Sequence, residues 1–151
     1  MKITRENIVQ YYQEYFEVFN SHGQSMDSVH DMDRFYAPDF AFKPYVATIK
    51  GCNSREEWYR VVTGHPAGHE HLEMEDIIID LERLVAAILI KAEISDPATG
   101  EVKVTKRYFG RYPMKLDEND DLKITALEFF WEVLPPGATE IDDVFFPNRK
   151  K

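Results

Sequence analysis

The 151-residue chain has the size of one domain and is too short for two. With 44% hydrophobic and 13% aromatic residues it can fill a sizeable core, which excludes general disorder. Eighteen Lys and Arg against 27 Asp and Glu leave a net charge of −9, which repels nucleic-acid phosphates and anionic lipid and disfavours roles on either. The single cysteine, Cys52, cannot form an intramolecular disulfide, and no zinc site can be assembled from thiolates. No apolar run approaches the ~20 residues that cross a bilayer. No apolar stretch follows Met1–Asn7 as a secretion signal would require, so a cytoplasmic location is expected.

In chain order, the first element is a helix. Thr4 is its N-cap and Gly23 its end. Ile8, Tyr12, Tyr15 and Phe19, at spacings of four, three and four, share one face. A second helix is expected from Ser25 to Phe35, with Val29, Met32 and Phe35 as its apolar stripe. Ala37-Pro38-Asp39 breaks it, because the residue before a proline is pushed out of the helical region. Phe40-Ala41-Phe42 reads as a short strand, and Pro44 stops it. Ser54 and Glu57 form a capping box for a third helix, Arg55 to Thr63. The rest reads as sheet. Strands are expected at Leu72 to Asp80, Leu84 to Ile94, Val102 to Met114 and Lys123 to Leu134. Hairpin loops fall at Asp96–Gly100 and Asp117–Asp121. A single domain over residues 1–137 and a C-terminal tail over 138–151 complete the organisation.

Helices followed by a meander of long strands give an α+β fold class. The order, with several local patterns, resembles the nuclear transport factor 2-like superfamily and its SnoaL-like branch of polyketide cyclases, ketosteroid isomerases and scytalone dehydratase-like proteins. The patterns are the aromatic first helix ending in Phe19-Asn20, the Phe35–Phe40 break, and Gly51 before the Arg55-Glu56-Glu57-Trp58 helix. A histidine entering the next strand, His69 or His71, and the closing Lys123-Ile124 strand complete them. The resemblance implies a cone-shaped, curved antiparallel sheet wrapped around three N-terminal helices, the cystatin-like shape. It places a pocket for a small hydrophobic molecule between helices and sheet, and implies a homodimer through the convex face.

Carried over by position, the pocket residues are Tyr15, Tyr45, Trp58, Ile88, Ile90, Tyr108, Tyr112, Met114, Leu127, Phe129 and Trp131. Strand alternation puts Leu127, Phe129 and Trp131 on one face, and Ile124, Ala126, Glu128 and Phe130 on the other, the candidate dimer surface. Tyr15 falls where the isomerase-like proteins place an oxyanion donor. The isomerase carboxylates do not carry over: their positions read Pro44, between Lys43 and Tyr45, and Met114, which cannot hold a proton. The dehydratase-like branch instead implies a histidine base, His71 or His69, but the acid that would orient it reads Asn20-Ser21-His22. Such proton abstraction next to a carbonyl, leading to cyclisation, dehydration or isomerisation, needs no metal or organic cofactor, and none is expected. The alternative is a non-catalytic ligand-binding or dimerisation domain. Among Lys106, Arg107 and Arg111, a cation facing inward could bind a substrate carboxylate or enolate. Alternation turns Arg107 and Arg111 outward.

Overall fold

The computed structural model describes residues 2–45, 49–64, 69–131 and 137–146. Helix α1 spans Arg5–His22. The Thr4 hydroxyl accepts from the Asn7 backbone N–H, satisfying one orphan donor of the first turn. Gly23 closes the other end by donating to the Phe19 and Val18 carbonyls. The helix buries Ile8, Tyr11, Tyr12, Tyr15, Phe16 and Phe19, a broader aromatic face than the four-residue stripe.

The expected second helix is a six-residue 3-10 turn, Val29–Arg34. Val29, Met32 and Phe35 are spaced by three, the period of a 3-10 helix, and all are buried. Strand β1 runs from Tyr36 to Pro44, longer than the expected Phe40–Phe42 strand, and takes in Pro38 of the expected helix-breaking segment. An irregularity between Tyr36 and Ala41 accommodates it. Helix α2, Arg55–Thr63, begins with the Ser54 hydroxyl accepting from the Glu57 N–H at 3.1 Å. Glu57 reaches back to the Asn53 N–H rather than to that of Ser54. Strands β2 (His69–Asp80), β3 (Val85–Ser95), β4 (Val102–Leu116) and β5 (Leu122–Trp131) follow. Residues 132–134, expected in the last strand, lie outside the described residues. A short helix α3, Ile141–Phe145, buries nothing.

The sheet order is β1-β5-β4-β3-β2. The meander β2 to β5 is antiparallel, but β1 pairs parallel to β5, so the sheet is mixed. Register shifts between Met74 and Asp76, and between Arg111 and Met114, interrupt the ladders; extra residues of this kind bend strands and increase their twist. The second shift also corrects an expectation. Ile124 is 0% exposed and belongs to the core, not to the convex face. Both Ala126 and Leu127 are buried, so strict alternation fails at that point. One core joins α1, α2 and the concave side of the sheet. No described helix is long and apolar enough to cross a membrane.

Candidate functional site

A cavity of about 410 Å3 opens between the end of α1, α2 and the concave sheet. Tyr15 and Phe19 reach it from α1, Phe42 from β1, and Trp58, Val61 and Val62 from α2. Leu72, Ile90, Ile94, Tyr108, Tyr112, Leu127, Phe129 and Trp131 line it from β2 to β5. The walls are mostly aromatic and aliphatic, the usual composition of a small-ligand site. The cross-strand row Ile88–Gly110–Phe129 explains part of its shape. A Cβ at Gly110 would lie 2.7 Å from the Tyr112 ring and 3.1 Å from Leu127, so only glycine lets both pack there.

At the inner end lies a cluster of phenols. The Tyr15 and Tyr36 hydroxyls are 2.7 Å apart and buried. Tyr12, Tyr36 and Tyr112 all make edge contacts with the Tyr15 ring, at 5.7–6.0 Å between centroids. Burial holds Tyr12 and Tyr15 well above the ordinary tyrosine range and raises Tyr112, with the neighbouring phenols adding to the effect. Burial pushes Tyr36 up to about 12, while hydrogen bonding from Tyr15 pulls it back. The cluster is therefore neutral across physiological pH, a set of hydroxyl dipoles and no base.

The mouth is polar and carries Gln24, Glu70 and Lys106. Strand β2 is one edge of the sheet, and side-chain amides from the end of α1 cover part of that edge. Asn20 donates to the Leu72 carbonyl at 2.9 Å and accepts from its N–H at 2.8 Å. Gln24 repeats the pattern with Glu70, at 2.7 and 2.8 Å. These amides act as a strand would, satisfying main-chain groups that an edge leaves open. They also fix the phase of β2, so that Glu70 and Leu72 line the cavity. Burial, followed by the Glu70 carboxylate, pushes the Tyr108 phenol up to about 12.

That phase decides the fate of the histidines. His69 and His71 have the opposite parity to Glu70 and Leu72, are exposed, and do not line the cavity. Asn20, at the position expected to orient a histidine, instead holds the Leu72 backbone. Tyr45 is also outside: its ring stacks on Phe130 at 4.9 Å, on the face opposite Phe129. Ile88 and Met114 are packed into the core rather than lining the cavity. Arg111 pairs with Glu128 at 2.7 Å and Arg107 with Glu75 at 2.8 Å. Among the described residues no group of three or more His, Cys, Asp or Glu has the geometry to hold a metal. Among the residues missed from the sequence are Phe19, Gln24, Phe42, Val61, Val62, Glu70, Leu72 and Ile94, with the hydroxyl partner Tyr36. The Leu72–Met74 alternation was the signal that would have turned Glu70 inward.

A second concavity, about 510 Å3, lies between α1 and the start of β5. It is lined by mixed charges, including the paired Glu14 and Arg34. Its Tyr11 hydroxyl is already engaged by the Phe35 and Leu122 carbonyls at 3.0 Å. It offers neither an apolar wall nor an uncommitted buried group.

No family model and no curated protein matches the sequence. Solved structures match in shape. A protein of unknown function with a cystatin-like fold from Methylobium petroleophilum aligns at TM-score 0.63 and 14% identity, over 100% of this chain and 96% of that one. A nuclear transport factor 2-like superfamily protein from Salmonella enterica serovar Typhimurium aligns at 0.59 and 12% identity, over 91% and 97%. A ketosteroid isomerase-like protein from Erwinia carotovora atroseptica aligns at 0.53 and 13% identity, over 79% and 88%. At such identities the shared property is architecture, and the chain has the nuclear transport factor 2-like fold.

Proposed function

We propose that this protein binds a small hydrophobic ring compound in the cavity between α1, α2 and the sheet. The observation that carries this reading is the cavity itself: about 410 Å3, aromatic-walled, with few polar groups. A filled interior would have served a purely structural domain. Burying a ring against such walls is favourable by roughly 25 cal/mol per Å2 of apolar surface removed from water. The two tryptophans of the chain, Trp58 and Trp131, both line the cavity, so intrinsic fluorescence reports its occupancy. The test is a panel of two- and three-ring compounds, followed by tryptophan emission and thermal shift together. A change in emission with a raised Tm is the expected result. A panel that moves neither overturns the reading.

A second reading, a cofactor-independent enzyme of the SnoaL-like type, is favoured by one observation. Glu70 brings a carboxylate to the cavity, a group able to accept a proton from a carbon next to a carbonyl. In this version Glu70 replaces His71 and His69 as base, and Tyr15 belongs to the hydroxyl cluster facing the substrate. Exchange of the α-hydrogens of a bound ring ketone for deuterium, followed by NMR, is the measurement. Exchange that disappears in Glu70→Gln supports turnover; a bound ketone with no exchange leaves a binding domain.

The proposal includes a homodimer through the convex sheet. There Tyr45, Phe109 and Phe130 form an exposed aromatic stripe across neighbouring strands.

A further inference from the structure

Lys106 differs from the other cations of its strand. Lys103, Arg107, Arg111 and Lys115 are each paired with a carboxylate, at 2.7, 2.8, 2.7 and 3.6 Å. Lys106 pairs with Ala92 and shares the concave face with Tyr108, and it lines the cavity mouth. Among the described residues it makes no ion pair. The chain as a whole carries −9, so its general field repels anions, and this ammonium is a local exception at the entrance of an apolar site.

We infer that Lys106 sets the ligand class: the cavity takes ring compounds bearing an ionised acidic oxygen, a carboxylate above all, with the ring inside and the charge at the mouth. This rests on the cavity-binding reading above. The orientation follows from solvation. A carboxylate cannot be buried unpaired among aromatic walls, but at the mouth it keeps water and gains the ammonium. The opposing charge of Glu70 is the main objection. In the cross-strand register, however, Lys106 lies in the row Leu72–Ala92–Lys106, and Glu70 in the next row and two strands away. That is about 10 Å across the sheet. That is the separation of the backbones; in the wet mouth, salt weakens the repulsion from Glu70 more than it weakens the contact pair with Lys106.

The test compares 2-naphthoate with 2-naphthamide by calorimetry, since the two share a ring and differ in charge. Wild type is expected to bind the carboxylate about three- to tenfold more tightly, with the preference shrinking as salt is added. Lys106→Met keeps the apolar stem and should erase the ratio of naphthoate to naphthamide affinity; Lys106→Arg should retain it. Equal affinities in wild type, or a preference that survives Lys106→Met, overturn the inference alone. If neither compound binds, the cavity reading falls and this inference with it.

Discussion

Asn20 holds both main-chain groups of Leu72 and so joins α1 to the edge of the sheet. Each bond is worth on the order of 1 kcal/mol, and a part-buried group left without a partner costs about 1–3 kcal/mol. Asn20→Leu, which removes donor and acceptor together, should destabilise the fold by roughly 2–4 kcal/mol. For a domain of this size that lowers Tm by about 5–12 °C. His71→Ala, on the exposed side of the same strand, should leave Tm within about 1 °C, as surface substitutions do. Thermal denaturation of the two variants checks both. An unchanged Tm for Asn20→Leu would show that the amide clamp is not what ties the edge down. The same pair of residues shows why the site was harder to read than the helices. The polar run His69–Glu73 alternates no hydrophobicity until Leu72 and Met74, so parity alone had to decide which polar residues turn inward. The shift after Met74 then reverses the pattern downstream. The partners of Asn20 and Gln24 lie 52 and 46 residues away, and no local spacing announces them.

At the scale of the element, α1 owes its place to five buried aromatic residues, three of them tyrosines whose hydroxyls had to be satisfied or kept neutral. Tyr11, Tyr12 and Tyr15, with Tyr36 and Tyr112 packed against them, are all raised above the ordinary value of 10.0 by burial. In the unfolded chain these phenols ionise near 10; in the fold they keep their protons. The unfolded state therefore binds fewer protons above pH 10, and stability falls as pH rises past that point. Below it the contribution is complete. Each tyrosine can withdraw up to about 1.4 kcal/mol per pH unit. Five together rival a typical total stability of about 5–15 kcal/mol within one or two units. Tm should be flat on approach to pH 10 and then drop steeply. A flat Tm above pH 10 would mean that these hydroxyls ionise in place. This helix, like α2, was legible because its signals are local: Thr4 and Ser54 cap within three residues of themselves. The 3-10 turn carries its own period in the sequence, with Val29, Met32 and Phe35 spaced by three rather than by the three-and-four of an α-helix. The parallel pairing of β1 with β5 joins segments more than 80 residues apart and leaves no trace in either.

At the scale of the whole molecule, the sheet has two faces of different character. The concave face is used up by α1, α2 and the cavity. On the convex face, Leu89, Phe109 and Phe130 lie in one cross-strand row, and Tyr45 stacks on the last of them. Phe109 is 44% exposed and Phe130 43%. Charged pairs flank the row: Arg107 with Glu75 on one side and Arg111 with Glu128 on the other. An apolar centre rimmed by polar groups is the anatomy of an association surface. A two-fold arrangement across this row would be self-complementary, because an aromatic row crossing its own copy buries the same residues on both sides. Sedimentation at micromolar concentration should show a dimer for the wild type. Phe130→Glu should weaken it by tenfold or more, since an unpaired carboxylate would be buried opposite Phe109 or Tyr45. Phe130 is a surface residue of the protomer, so the same variant should keep its monomeric fold and, on the cavity reading, its ligand affinity. A wild type that sediments as a monomer would remove the dimer. A Phe130→Glu variant that associates as well as wild type would move the interface off this row.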